Sequence, residues 1–339
     1  MNECPPTFGK ITVFVAYSAR FNNSNYKIAQ DSLKCYLKSV NYEYLWIDLD
    51  SDELVNKECP HNKNVMYKRH CAAAAYLKHT DWMLFLDADI GVINPNHCIE
   101  EWVDERVDII FYERFFNYEI AAGSYMVRNT PFAYDFLISL SRWEFQHPKS
   151  FNGYDNGLIQ LQIIVTLFPE SPQEIENCYH LLEIANNYNT YMAFVTCVKF
   201  ALGAQRLWPR KIRIYRRAHG WVRDGHLTGD RFCEKDFMLH DWKLSSGWKS
   251  PFNGEIDISK CGNGTSGWDY KSEKKQSCDT NIYDLSEMEK FHNKNYPQEA
   301  KVIPYLILPD IANCYPNCET GKLKIRDEVS VVMNSTNYE

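Results

Sequence analysis

The chain has 339 residues, enough to bury a sizeable core, and its 45% hydrophobic and 24% charged residues exclude disorder as the default state. Forty-four acidic against 37 basic residues give a formal net charge of −7. With no basic stripe, the phosphate attraction that nucleic-acid binding relies on is missing, which excludes free nucleic acid as an expected partner. No run approaches the roughly 20 apolar residues of a membrane span, and "MNECPPTFGK" has neither the basic start nor the apolar core of a signal peptide.

In chain order, "ITVFVAYS" (11–18) reads as a strand and residues 27–40 as a helix, with Ile28, Leu33, Tyr36, Leu37 and Val40 at helical spacing. "YEYLWID" (42–48) reads as a second strand, 65–77 with its alanine run as a second helix, and "WMLFLD" (82–87) as a third strand. Such alternation predicts an α/β fold, a parallel sheet covered by helices on both faces. "VDIIFY" (107–112) and "GSYMVR" (123–128) are further expected strands, and Pro131 opens a helix through Arg142. Beyond these, helices are expected over 156–166 and 178–188, and strands over 211–216 and 237–242. From about Pro251 the chain turns rich in Gly, Ser, Lys, Asn and Cys. Residues 251–339 therefore read as a loop-rich appendage, stapled by Cys261, Cys278, Cys314 and Cys318 and packed on a body formed by residues 8–250.

Twelve cysteines are spread along the chain with no Cys-x-x-Cys pair, and Asn-x-Ser/Thr sequons stand at Asn22, Asn263 and Asn334. Together they favour an oxidising compartment, the lumen of the Golgi or ER, or secretion. The alternative is that the sequons are chance and that cysteines such as Cys71 and Cys197 are small buried hydrophobes.

The chemistry gathers at "DWMLFLDADIGVINP" (81–95). A strand buried on both faces reads as continuous apolar sequence, and in open α/β sheets ligands bind outside the carboxyl ends of the strands. Asp87 and Asp89 stand at that exit. Neighbouring unpaired carboxylates repel, so a divalent cation, Mn²⁺ or Mg²⁺, is the expected partner. Turn capping by solvated aspartates before Gly and Pro is the alternative.

The order of these motifs over roughly residues 10–250 resembles the GT-A nucleotide-sugar glycosyltransferases, most closely glycosyltransferase family 34, the galactosyl, mannosyl and xylosyl transferases, in its nematode branch. The resemblance implies a Rossmann-like, mostly parallel central sheet, and assigns Asp87 and Asp89 in "FLDAD" to a metal held against the donor diphosphate. "AAGSYMVRNTPFAYDFL" (121–137) is similar to the family's donor-sugar segment. It brings Gly123 and Ser124 to the donor, with Ala121 where the family has Asn. "GYDNGLIQL" (153–161) is similar to the family's turn into a helix, which makes Asp155 and Asn156 the candidates to contact the transferred sugar, Asn156 replacing a Gln. His240 in "FMLHDWKLSSGWK" (237–249) follows a short apolar strand, as the family's metal-binding His does. An imidazole can complete an oxygen shell around Mn²⁺, although a lone His after an apolar run is more often structural.

Lys243 or Lys249 would neutralise the leaving diphosphate, and the two are not distinguished by spacing. Lys68 and Arg69, one turn into a helix, are candidates to stand near the nucleotide or form a solvated face. Tyr17 and Ser18, at the exit of the first strand, are where such folds admit the base; Tyr17 suits stacking and core packing equally. The resemblance thus implies a retaining hexosyltransferase using a nucleotide sugar, UDP-galactose favoured, on a glycan or glycoprotein acceptor. A catalytically silent sugar- or nucleotide-binding protein is the second reading. A phosphohydrolase is a weaker third, for want of a second carboxylate and histidine cluster.

Overall fold

A computed structural model describes residues 4–278 except 116, 218 and 263–266. The chain opens with β1 (Ile11–Tyr17), α1 (Lys27–Leu37), β2 (Glu43–Asp48), α2 (Glu53–Glu58), α3 (Val65–Leu77) and β3 (Trp82–Leu86). β4 (Gly91–Val92), β5 (Ile109–Tyr112), β6 (Ser124–Arg128) and α4 (Pro131–Arg142) follow. Three further helices come next, α5 (Asp155–Leu167), α6 (Pro172–Glu183) and α7 (Tyr188–Leu202). The short strands β7 (Leu207–Trp208), β8 (Ile212–Tyr215), β9 (Val222–Asp224) and β10 (Met238–His240) complete the order.

Seven strands form one sheet in the order β2-β1-β3-β6-β5-β8-β7, and β4-β10-β9 form a second, small sheet. β1, β2, β3, β5 and β8 point the same way, whereas β6 runs against both β3 and β5 and β7 runs against β8. The sheet is therefore mixed, with a parallel majority, where simple strand–helix alternation predicts a purely parallel one. No crossover helix separates β5 from β6, so β6 returns antiparallel and its amino end meets the carboxyl end of β3.

Successive side chains of β1 and β3 feed two cores. Phe14, Met83 and Phe85 pack beneath α3, α4, α5, α6 and α7, while Val13, Val15, Leu84 and Leu86 face the other way. That second face is covered by α1, the small sheet and residues after 250, including Phe252, Trp268 and Tyr270, rather than by a second helical layer. Two helices start where the sequence puts them. Thr130 accepts a hydrogen bond from the Ala133 N–H with Pro131 in the first turn of α4, and Asn64 caps α3.

The helix expected over 178–188 is instead the end of α6, a turn and the first residue of α7. Asn187 breaks the run: its backbone is extended and its side chain accepts from the Thr190 N–H at 3.0 Å, which starts a new helix. Cys178–Cys197 then clamps α6 to α7.

Among the described residues five disulfides form. Cys71 and Cys197 are bonded, to Cys59 and Cys178, rather than being free buried thiols. Cys261 and Cys278 fasten the appendage to the body, through Cys35 and Cys233, and not to each other. Cys314 and Cys318 lie outside the described residues, as do the sequons at Asn263 and Asn334. No helix among the described residues is long and apolar enough to cross a membrane.

Candidate metal and donor site

The carboxyl ends of β3 and β5 and the amino end of β6 open on one side of the main sheet, on a cavity of about 170 Å³. Its walls include Arg69, Asp87, Arg114, Asn156, His240 and Lys243.

Asp87 leaves β3 with its N–H donating to the Gly123 carbonyl at 2.7 Å. A Cβ at Gly123 would lie 2.3 Å from Asp87 Oδ2, so the carboxylate occupies space that only glycine leaves open. On its other side Asp87 pairs with the Arg69 guanidinium, which also grips Asp155 from Nε at 3.0 Å. His70, wholly buried, reaches Asp155 Oδ2 with Nε2 at 3.2 Å and Tyr125 with Nδ1 at 2.9 Å. Burial lowers the His70 pKa below the ordinary value. The neutral ring then donates to Asp155 and accepts from the tyrosine. Burial raises Asp87 despite the nearby arginine, with Asp89 adding to the rise. In Asp155 burial is outweighed by Arg69 and His70, and its pKa is held down.

Asp89 is fastened differently. β4 follows it directly and pairs antiparallel with β10, Leu239 opposite Gly91, and the Trp242 N–H donates to the Asp89 carbonyl at 3.0 Å. A Cβ at Gly91 would sit 2.2 Å from the Trp242 ring, so this glycine lets the two segments close. The small sheet thus carries His240 back to the aspartates: Nε2 lies 3.5 Å from Asp89 Oδ2 and Nδ1 3.2 Å from Asp224 Oδ1. Lys243 Nζ lies 2.7 Å from Asp89 Oδ2. Burial opposes the charge on His240, but Asp89, Asp241 and Asp224 outweigh it and push the imidazole up to about 9.

Asp87, Asp89 and His240 each offer one ligand atom, all within 4.8 Å of one another. Two hard carboxylates and one imidazole suit Mn²⁺ or Mg²⁺. The groups now crowding the aspartates are themselves cationic: Arg69, Lys243 and the protonated His240.

The remaining expected site residues divide. Asn156 lines the cavity, whereas Asp155 next to it is wholly buried behind Arg69 and acts on the cavity through that arginine. Gly123 touches Asp87; Ser124 is buried, its Oγ accepting from the Trp221 indole at 2.8 Å. The structure separates the two lysines, with Lys243 on Asp89 and Lys249 exposed away from the cavity walls. It also separates Lys68 from Arg69: Lys68 Nζ donates to the Leu49 carbonyl at 2.6 Å, outside the cavity lining. Tyr17 stacks on Trp46 with ring centroids 4.4 Å apart, and Ser18 Oγ donates to Asp50. Both stand at the carboxyl end of β1, beyond the cavity walls.

Sequence reasoning missed Arg114, Asp224 and Tyr26. Arg114 follows the carboxyl end of β5, the signal that could have found it. Asp224 ends β9, a three-residue strand too short to stand out. Tyr26 is half-buried beside the aspartates, where burial and then the Asp89 charge raise its phenol.

Among solved structures, the chain is similar to a glycosyltransferase involved in the glycosylation of the major capsid of PBCV-1. The identity is 12% over 68% of this chain and 92% of that one, with a TM-score of 0.40. That likeness is too distant to bear on function. No curated protein matches the chain. Residues 33–256, about two-thirds of the sequence, match one protein family throughout. The chain belongs to that family, described as a protein of unknown function, DUF273.

Proposed function

We propose that this chain is a metal-dependent retaining glycosyltransferase of GT-A type. It transfers a hexose, galactose favoured, from a nucleotide-diphosphate sugar, UDP favoured, to a glycan or glycoprotein acceptor in the secretory lumen. The observation that carries the reading is the convergence of Asp87, Asp89 and His240 at the end of β3, on a cavity also walled by Arg69, Arg114, Arg223 and Lys243. Retention and the sugar come from the family resemblance of the motifs, and the five disulfides support an oxidising compartment.

In this reading Asp87, Asp89 and His240 hold Mn²⁺ or Mg²⁺. A bound divalent ion supplies Lewis-acid stabilisation of the charge that develops on the leaving diphosphate. Lys243 stands beside Asp89 and adds a second positive charge for the same oxygens. Asn156, on the cavity wall, offers an amide donor and acceptor to sugar hydroxyls. Asp155 keeps Arg69 aligned and is not a nucleophile, because it is wholly buried.

The second reading, a silent sugar- or nucleotide-binding protein, draws on Ala121, which lines the cavity without a hydrogen-bonding side chain. Titration of the full chain with UDP and then GDP, each with Mn²⁺ and with EDTA, tests both. UDP binding is expected to need Mn²⁺ and to be lost in Asp89→Ala. No metal-dependent binding of either nucleotide would sink the transferase reading. Binding without hydrolysis or transfer of UDP-galactose, GDP-mannose or UDP-glucose would favour the silent one.

A further inference from the structure

An imidazole that ligates through one nitrogen must carry its proton on the other, and the acceptor of that proton sets both tautomer and ring orientation. Nε2 of His240 faces Asp89, and Nδ1 faces Asp224 at 3.2 Å. The other carboxylate near Nδ1, that of Asp241, is farther away, at 3.9 Å, and more exposed.

Asp224 is built to stay in place. It is 3% exposed, and it is the direct register partner of His240 in the parallel β9–β10 pair. Arg114 fixes the far side, approaching both carboxylate oxygens, with Nε 3.4 Å from Oδ2 and a second nitrogen on Oδ1, while also pairing with Glu119 at 3.3 Å. Arg114 follows β5 of the main sheet and Asp224 ends β9 of the small one, so their pair spans the two sheets at the site.

We propose that Asp224 is the positioning residue of the cation site: buttressed by Arg114, it holds His240 with Nδ1 protonated and Nε2 turned toward Asp87 and Asp89. The inference rests on the metal-holding reading of those three residues. Its prediction is specific to the carboxylate. Asparagine keeps the shape of Asp224, but its amide can turn an N–H toward Nδ1 and leave the proton on Nε2, where it blocks ligation.

The test uses the full chain and Mn²⁺ alone, with free Mn²⁺ measured by electron paramagnetic resonance and imidazole nitrogen coupling by its pulsed form. Wild type is expected to bind Mn²⁺ with one imidazole coupling that His240→Ala abolishes. Asp224→Asn is expected to bind about 10- to 100-fold more weakly with that coupling lost, at unchanged circular dichroism. If Asp224→Asn fails to fold, Arg114→Lys keeps the charge but gives up the two-oxygen approach. It is expected to weaken Mn²⁺ in the same direction by a smaller factor. Wild-type affinity and an intact coupling in the folded variant would overturn the positioning role. Failure of wild type itself to bind Mn²⁺ would instead remove the metal reading beneath it.

Discussion

The two aspartates of one short motif sit in two differently built halves of the site. Asp87 belongs to the main sheet: its partner Arg69 comes from α3, is almost wholly buried, and is itself fastened by Asp155, which His70 holds in turn. Asp89 belongs to the small sheet, and its partners are His240 and the half-exposed Lys243. A guanidinium cannot lose its proton in this setting, whereas an imidazole can lose its proton and a half-exposed ammonium can swing out toward solvent. The difference teaches which half is scaffold and which half can exchange its counter-ions for a ligand.

The largest effect is expected from attacking the scaffold half. Arg69→Met would leave the wholly buried Asp155 and the half-buried Asp87 without their cation, at a cost of about 3–5 kcal/mol. Urea denaturation in EDTA measures it, and a loss below about 1 kcal/mol would erase the distinction between the halves.

A smaller effect, on the exchangeable half, comes from pH. His240 is held at about 9 in the folded chain, above the ordinary imidazole value of about 6.5. Its charge therefore stabilises the metal-free fold fully below pH 6.5, and that contribution fades as pH rises through about 9. The loss is at most about 3 kcal/mol. Denaturation at pH 6 and pH 9 in EDTA should show it in wild type and not in His240→Ala; equal slopes in the two would refute the assignment.

The smallest effect is steric and local. Gly123→Ala sets a methyl against Asp87 and is expected to weaken Mn²⁺ about tenfold, or about 1.4 kcal/mol, with the melting temperature nearly unchanged. Unchanged Mn²⁺ affinity would mean that Asp87 moves freely, contrary to its place in the rigid half.

The scaffold half was the more legible in sequence. The apolar run of β3 followed by two acids, the alanine-rich α3 and the Pro131 start of α4 each carry a local physical signature, and all three stand where they were expected. In the exchangeable half β10 with His240 was expected within 237–242, but β4 and β9 were not, because they are two and three residues long and β4 gains meaning only by pairing with β10 across more than 140 residues. Lys243 and Lys249 illustrate this. Both follow His240 within nine positions, and the turn at Asp241, with φ of 77°, helps direct the chain so that Lys243 returns to Asp89 while Lys249 stays exposed. The α6–α7 break was missed because apolar residues continue on both sides of it, and Asn187 was not recognised as a cap.

The sequence separations of the disulfides limit the order in which they can close during synthesis. Cys59–Cys71 and Cys178–Cys197 span 12 and 19 positions and can close while the ribosome is still translating the second half. Cys35–Cys261 spans 226, so Cys35, on the first helix, has no native partner until 226 further residues have been added. Because a nascent domain folds only as its parts emerge, the helices of the arginine-bound half can gather first. The histidine and lysine arrive late, onto a surface already formed. An oxidase that acted too early on Cys35 would trap it with Cys59 or Cys71, the nearest thiols downstream, and disulfide exchange would be needed to release it.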